Sequence, residues 1–216
     1  MDFDQFVTEW KVPNISSLEQ PLEQQQIVPR IVRALRIGQQ ETDIKFHYLD
    51  PYGNDRRNLD IQIVYRPQEH LHKGWIGSNV LKLFADNIKE TDYTKEHITD
   101  IIIHELTHAV DPKLTRIKDG KREHFPGREL EVPYHLRSHE IDAFIQPILR
   151  TVRHDKDKAA QLVRLDDRQF LEYISKLVYL KAFKDLHPNN VLKQWIGQPD
   201  ILKKLRLNIV QELGLI

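Results

Sequence analysis

Residues 97–111 read His97-Ile-Thr-Asp-Ile-Ile-Ile-His104-Glu105-Leu106-Thr107-His108-Ala-Val-Asp111 and place two histidines four positions apart, with a glutamate directly after the first. On an α-helix, side chains four apart lie one above the other on the same face. Two imidazoles so placed can direct nitrogens to one metal ion at about 2.0–2.1 Å. Glu105 is offset around the helix, so it would address a water on that metal instead of the metal itself. His104-Glu105-x-x-His108 therefore has the parts of a metal-assisted hydrolytic centre, two metal ligands and a general base.

That chemistry requires a helix, and the surrounding residues supply one. Ile98, Ile101, Ile102, Leu106, Ala109 and Val110 recur at steps of three and four, the pattern of a largely buried helix. Thr91, Asp92 and Thr94 are N-cap candidates before it. Asp111-Pro112 closes it, because the residue before a proline is pushed out of the helical region.

A catalytic zinc takes three protein ligands and keeps one position open. The chain has no cysteine, so the third ligand must be His, Asp or Glu. Six residues after His108 stands Leu114, which cannot ligate. Asp111 lies on the ligand side of the helix and is better suited to holding an imidazole than to reaching the metal. The segment Tyr134-His135-Leu-Arg137-Ser138-His139-Glu140-Ile-Asp142-Ala143-Phe144 is the best source. Ser138 can cap a helix whose first turn carries Glu140, while Ile141, Phe144 and Ile145 bury the other side. Glu140 is the leading third ligand. His139, His135 and His124 are rivals, since three histidines would suit zinc equally well.

The string HELTHAVDP, followed by a tyrosine and then SHEIDAF, resembles zincin-type metallopeptidases of the gluzincin kind. The likeness is greatest to small ones, often encoded by phages or bacteria, in which E-x-x-A-F follows HExxH by about thirty residues on the next helix. It covers about residues 60–150. It implies one zinc per chain held by His104, His108 and Glu140 between two helices, and a fold in which a short helix-and-strand layer rests on a helical layer. It also implies hydrolysis of peptide bonds in a protein or peptide substrate, with Glu105 as general base on a zinc-bound water. Tyr134 is the first choice for a second donor to the oxyanion, ahead of His135 and His139.

The rest of the chain fits one α+β domain over residues 1–216. It divides into an α/β part with the metal helix (1–111), a long active-site loop (112–137) and a helical part (138–216). Ser16-Ser17-Leu18-Glu19 opens a helix that runs to Gly38, with Pro29 as a kink candidate. Residues 44–49 and 59–65 alternate and flank the turn-rich Asp50-Pro-Tyr-Gly-Asn-Asp55, which predicts a β-hairpin. A third strand at 79–84, where a short helix is the alternative, completes a small three-stranded sheet, and the zincin resemblance implies that it forms the edge along which an extended substrate pairs. Residues 112–137 are turn-rich and lack periodicity. Helices follow from Ser138, over 159–165 and from Asp166 or Asp167 to about Leu186, and Pro188 and Pro199 punctuate two more, the last over about 200–213 with Gly214 as stop.

Composition narrows the function further. The 216 residues balance 32 Lys+Arg against 32 Asp+Glu, which gives no electrostatic case for a nucleic-acid or membrane partner. Met1-Asp-Phe-Asp-Gln-Phe lacks the basic-then-apolar pattern of a signal peptide, and no apolar run reaches membrane-spanning length. A cytoplasmic or virion-associated protein is expected. His47, His70 and His72 are read as surface residues, and His97 as a neighbour of the ligand side. The alternative function is a non-catalytic structural or virion assembly protein with a zincin-like zinc site, which would need the three ligands but not Glu105. A regulator that cleaves a single partner would share the peptidase chemistry.

Overall fold

In the computed structural model of the chain, the described residues are 15–51, 56–65, 73–77, 79–111, 115–118, 121–124, 137–154, 161, 164–177, 194–195 and 197–214. The chain divides into two compact units, one spanning Asn14–Gly127 and the other including Arg128–Ile216. The secondary structure is α+β, with a small mixed four-stranded sheet and several helices.

The first unit opens with a 3-10 turn, Ser16–Leu18, then helix α1 (Glu19–Gln24) and helix α2 (Ile27–Arg36). The single helix expected here is broken at Gln25-Gln26, with Gln26 in the left-handed region at φ 53°. The reason is Pro29. Its ring would clash with the carbonyl of residue 25 in a continuous helix, whereas in the first turn of a new helix its missing N–H is harmless. The proline therefore separates two helices instead of kinking one.

Strands β1 (Glu41–Leu49) and β2 (Arg56–Val64) form the expected antiparallel hairpin, with Ile44 opposite Ile61 and Phe46 opposite Leu59. Alternation puts Ile44, Phe46, Tyr48, Leu59, Ile61 and Ile63 in the core and leaves their neighbours at the surface or half-buried. His47 is exposed, as expected, with Nδ1 2.6 Å from Asn58 Oδ1. The fully buried Asp50 pairs with Arg57 at 2.5 Å and ties the two ends of the turn together.

The three-stranded sheet is corrected to four strands. Strand β3 (Gly74–Gly77) precedes strand β4 (Val80–Phe84), and the order across the sheet is β1-β2-β4-β3. β4 runs parallel to β2 and antiparallel to β3, which makes the sheet mixed. The strand expected over 79–84 is present, but it lies inside the sheet, and β3 takes the edge. The stretch expected to be a loop is also partly strand. β5 (Thr115–Lys118) and β6 (Lys121–His124) form an antiparallel ribbon, with Thr115 opposite His124.

Helix α3 (Lys95–Val110) contains the two histidines and is buried on nearly every side, with Ile98, Ile101, Ile102, Ile103, Leu106 and Val110 in the core. It packs against α2 and β3. Of the three cap candidates Thr94 is the one used, its hydroxyl accepting from the His97 N–H at 3.2 Å. Asp111 turns to extended backbone at φ −64° and ψ 114°, so the helix ends where the following proline requires.

In the second unit, helix α4 (Ser138–His154) contains Glu140 in its first turn. Helix α5 (Asp167–Leu177) begins after Asp166, whose carboxylate accepts from the Gln169 N–H at 2.8 Å. Helix α6 (Pro199–Glu212) starts with its proline in the first turn and is followed by Gly214 at φ +69°. Both α5 and α6 pack on α4. The helix expected over 159–165 falls largely outside the described residues, as does the continuation of α5 toward Leu186. Among the described residues, no helix is long and apolar enough to cross a membrane.

Two stability measurements follow from these supports. Thr94→Ala removes the cap of α3 and should cost about 1 kcal/mol in urea unfolding. Lys204 on α6 is ion-paired to the fully buried Asp142 on α4. Lys204→Met should cost about 3 kcal/mol by leaving that carboxylate short of its countercharge. Asp142→Asn in the same background should recover part of the loss.

Candidate metal centre

On α3, the four-residue step brings His104 and His108 together with ring centroids 5.0 Å apart and planes at 89°. Their exposures are 7% each, and Glu140 is 5% exposed. Polar groups this deeply buried need strong compensation. Each of the three offers one ligand atom, and these atoms all lie within 4.8 Å of one another. A tetrahedral site with ligands at 2.0–2.2 Å has edges of about 3.4 Å, which fall inside that bound. The donor chemistry also fits. Two imidazole nitrogens and one carboxylate, with no sulfur, are a set that zinc accepts with a position left for substrate.

His104, His108 and Glu140 are therefore a group that could hold a metal ion, and they are the three residues expected from the sequence. Glu105 is buried beside them in sequence, on the same helix. The rival His139 is 8% exposed and is not a member of the group among the described residues. Its Nε2 lies 3.5 Å from Glu140 Oε1, close enough to bias the orientation of that carboxylate. Tyr134 and His135 lie outside the described residues. His124 belongs to β6. His70 and His72 also lie outside the described residues.

His97 is buried at 3% exposure, with Nε2 3.2 Å from Lys73 Nζ. An ammonium can only donate, so Nε2 accepts and the ring proton sits on Nδ1. This contact joins the start of α3 to the residue just before β3. Further polar side chains are buried along the two helices that supply the group: Asp100 and Asp111 at the first, Asp142 and Gln146 on the second. The spacing singles out Asp111. It does not single out Asp100 or Asp142, for which the available signal is a charged residue inside an apolar helical repeat.

No family model matches the chain, and no curated protein or solved structure matches it.

Metal content measured by mass spectrometry tests the group directly. Purified wild type should contain about one divalent metal ion per chain. His108→Ala and Glu140→Gln should lose it or weaken its retention against a chelator, while Glu105→Gln should keep it. A full metal complement in Glu140→Gln would move the third ligand elsewhere.

Proposed function

We propose that this protein is a zinc-dependent metallopeptidase of zincin-like build that hydrolyses peptide bonds in a protein substrate. The observation that carries the reading is the approach of the His104, His108 and Glu140 ligand atoms to within 4.8 Å, with Glu105 next to the first histidine. When bound, zinc would supply a Lewis acid that polarises a carbonyl oxygen and acidifies a water molecule. The roles of the chain's own residues follow from their positions.

His104, His108 and Glu140 would hold the metal. Glu105 receives the proton of the attacking water and returns it to the leaving amine, so one carboxylate serves as base and then as acid. Its burial at 9% exposure supports this role, because water excluded from its surroundings does not compete for the transferred proton. Tyr134, before the second helix in sequence, is the candidate donor to the developing oxyanion. An extended substrate would add to the sheet at β3, the edge strand beside α3, by main-chain pairing.

A stability-only metal site would need the three ligands and would be indifferent to Glu105. Catalysis needs the carboxylate, which makes Glu105→Gln the deciding variant. With fluorescein-labelled casein as a general protein substrate, wild type should release fluorescence and Glu105→Gln should be slower by about 10²–10⁴-fold with its zinc retained. Chelation should abolish wild-type cleavage, and added zinc should restore it. Equal rates for the two proteins would sink the peptidase reading and leave a structural site.

A further inference from the structure

Gly74 sits in a β-strand, where glycine is disfavoured, and its backbone does not explain its presence. Its φ is not among the positive ones, so any residue could adopt the conformation. The explanation is a close approach. A Cβ built at Gly74 would lie 2.8 Å from Glu105 Cγ, 2.8 Å from Glu105 Oε1 and 3.0 Å from Glu105 Cδ. The edge strand therefore lies flush against the side chain of the glutamate at the centre of the HExxH motif.

The clash could not be relieved by turning the end of that side chain. Cγ is as close as the carboxylate oxygen, so either the whole glutamate changes rotamer or β3 separates from α3. Both alternatives are resisted. Glu105 is buried. Gly74 is paired with Leu83 on β4, and Lys73 beside it donates to His97 on α3. Gly77, at the other end of the strand, is different. A Cβ there would meet the ring of Trp75, which is half exposed and has room to swing outward.

We infer that Gly74 is a positioning residue for Glu105, its missing Cβ being what allows the edge strand to close on the carboxylate and hold it in one orientation. The inference rests on the metallopeptidase reading for its consequence in the reaction, but the contact is testable without it. Gly74 acts only through Glu105. Substitution should move the base and leave the metal ligands and the edge-strand pairing in place.

The test is a cycle of wild type, Gly74→Ala, Glu105→Ala and the double variant, each measured for zinc content, Tm, and kcat and KM on fluorescein-labelled casein. Gly74→Ala should keep its zinc and lower Tm by about 4–8 °C in the wild-type background. In the Glu105→Ala background the same substitution should leave Tm nearly unchanged, because the clashing atoms are gone. In the wild-type background Gly74→Ala should lower kcat by about a hundredfold with KM within about twofold, a split that general loosening of the fold would not produce. Equal Tm losses in the two backgrounds, or wild-type kcat in Gly74→Ala, would overturn the inference and leave the peptidase reading intact. A wild type that cleaves no casein would remove the role of Gly74 in a reaction, yet a coupled Tm cycle would still establish the contact.

Discussion

Burying polar side chains on a single helix is the constraint on which the rest of the structure depends. His97, Asp100, His104, Glu105, Thr107 and His108 are all buried on α3 or nearly so. An unpaired buried polar group costs on the order of 1–3 kcal/mol, and a charged one more. A helix with so many would not stay in a core unless each group had something to do there. The apolar residues between them supply the driving force, at about 1.5–3 kcal/mol for each fully buried isoleucine or leucine. The helix is thus held by its Ile and Leu residues, Thr107 and His97 are satisfied by Ile103 and Lys73, and His104 and His108 belong to the group that could hold a metal ion.

The sheet serves this helix in a specific way. Its inward face is built from β-branched and aromatic residues in strict alternation, which fixes register, since a one-residue slip would turn Ile44, Phe46 and Tyr48 outward. A fixed register places the edge strand at a fixed height on α3. The short β3 could not hold that position alone. Its pairing with β4 and the Lys73–His97 contact supply what its length does not. Precision at one glutamate is therefore inherited from a hydrophobic pattern several strands away.

Much of this was legible in the sequence, for physical reasons. Helix α3 was readable because 3.6-residue periodicity, a Thr cap and a proline stop all agree, and agreement among independent local signals is what specifies a segment. The hairpin was readable from alternation on both sides of a turn. Glu140 was readable because first-turn position and burial of the opposite face follow from spacing. β3 was not readable, since Gly-Trp-Ile-Gly is too short to show a period and its glycines suggest a turn. The β5–β6 ribbon, rich in Lys, Arg and His, has no apolar alternation at all. The break at Gln25-Gln26 has no glycine to mark it. Its cause stands three residues further on in Pro29, whose effect reaches backward along the chain.

Gly74 illustrates a different limit. Nothing in its neighbourhood separates a glycine that bends a chain from one that makes room, because the difference lies in a residue 31 positions away. Sequence periodicity reports which face of an element is buried, not which atom the buried face meets. The HExxH spacing proposes Glu105 as a base but is silent on what packs against its carboxylate. A flexible glutamate carries rotamer entropy of about 1.5–2 kcal/mol, and a base must give most of that up to hold one geometry. Packing a strand without a side chain against it removes that freedom while adding no competing polar group. A larger residue would have displaced the carboxylate, and a polar one would have offered it a second hydrogen-bond partner. If Glu105 is the base proposed, glycine is the residue that would confine it and leave its oxygens available to the reaction.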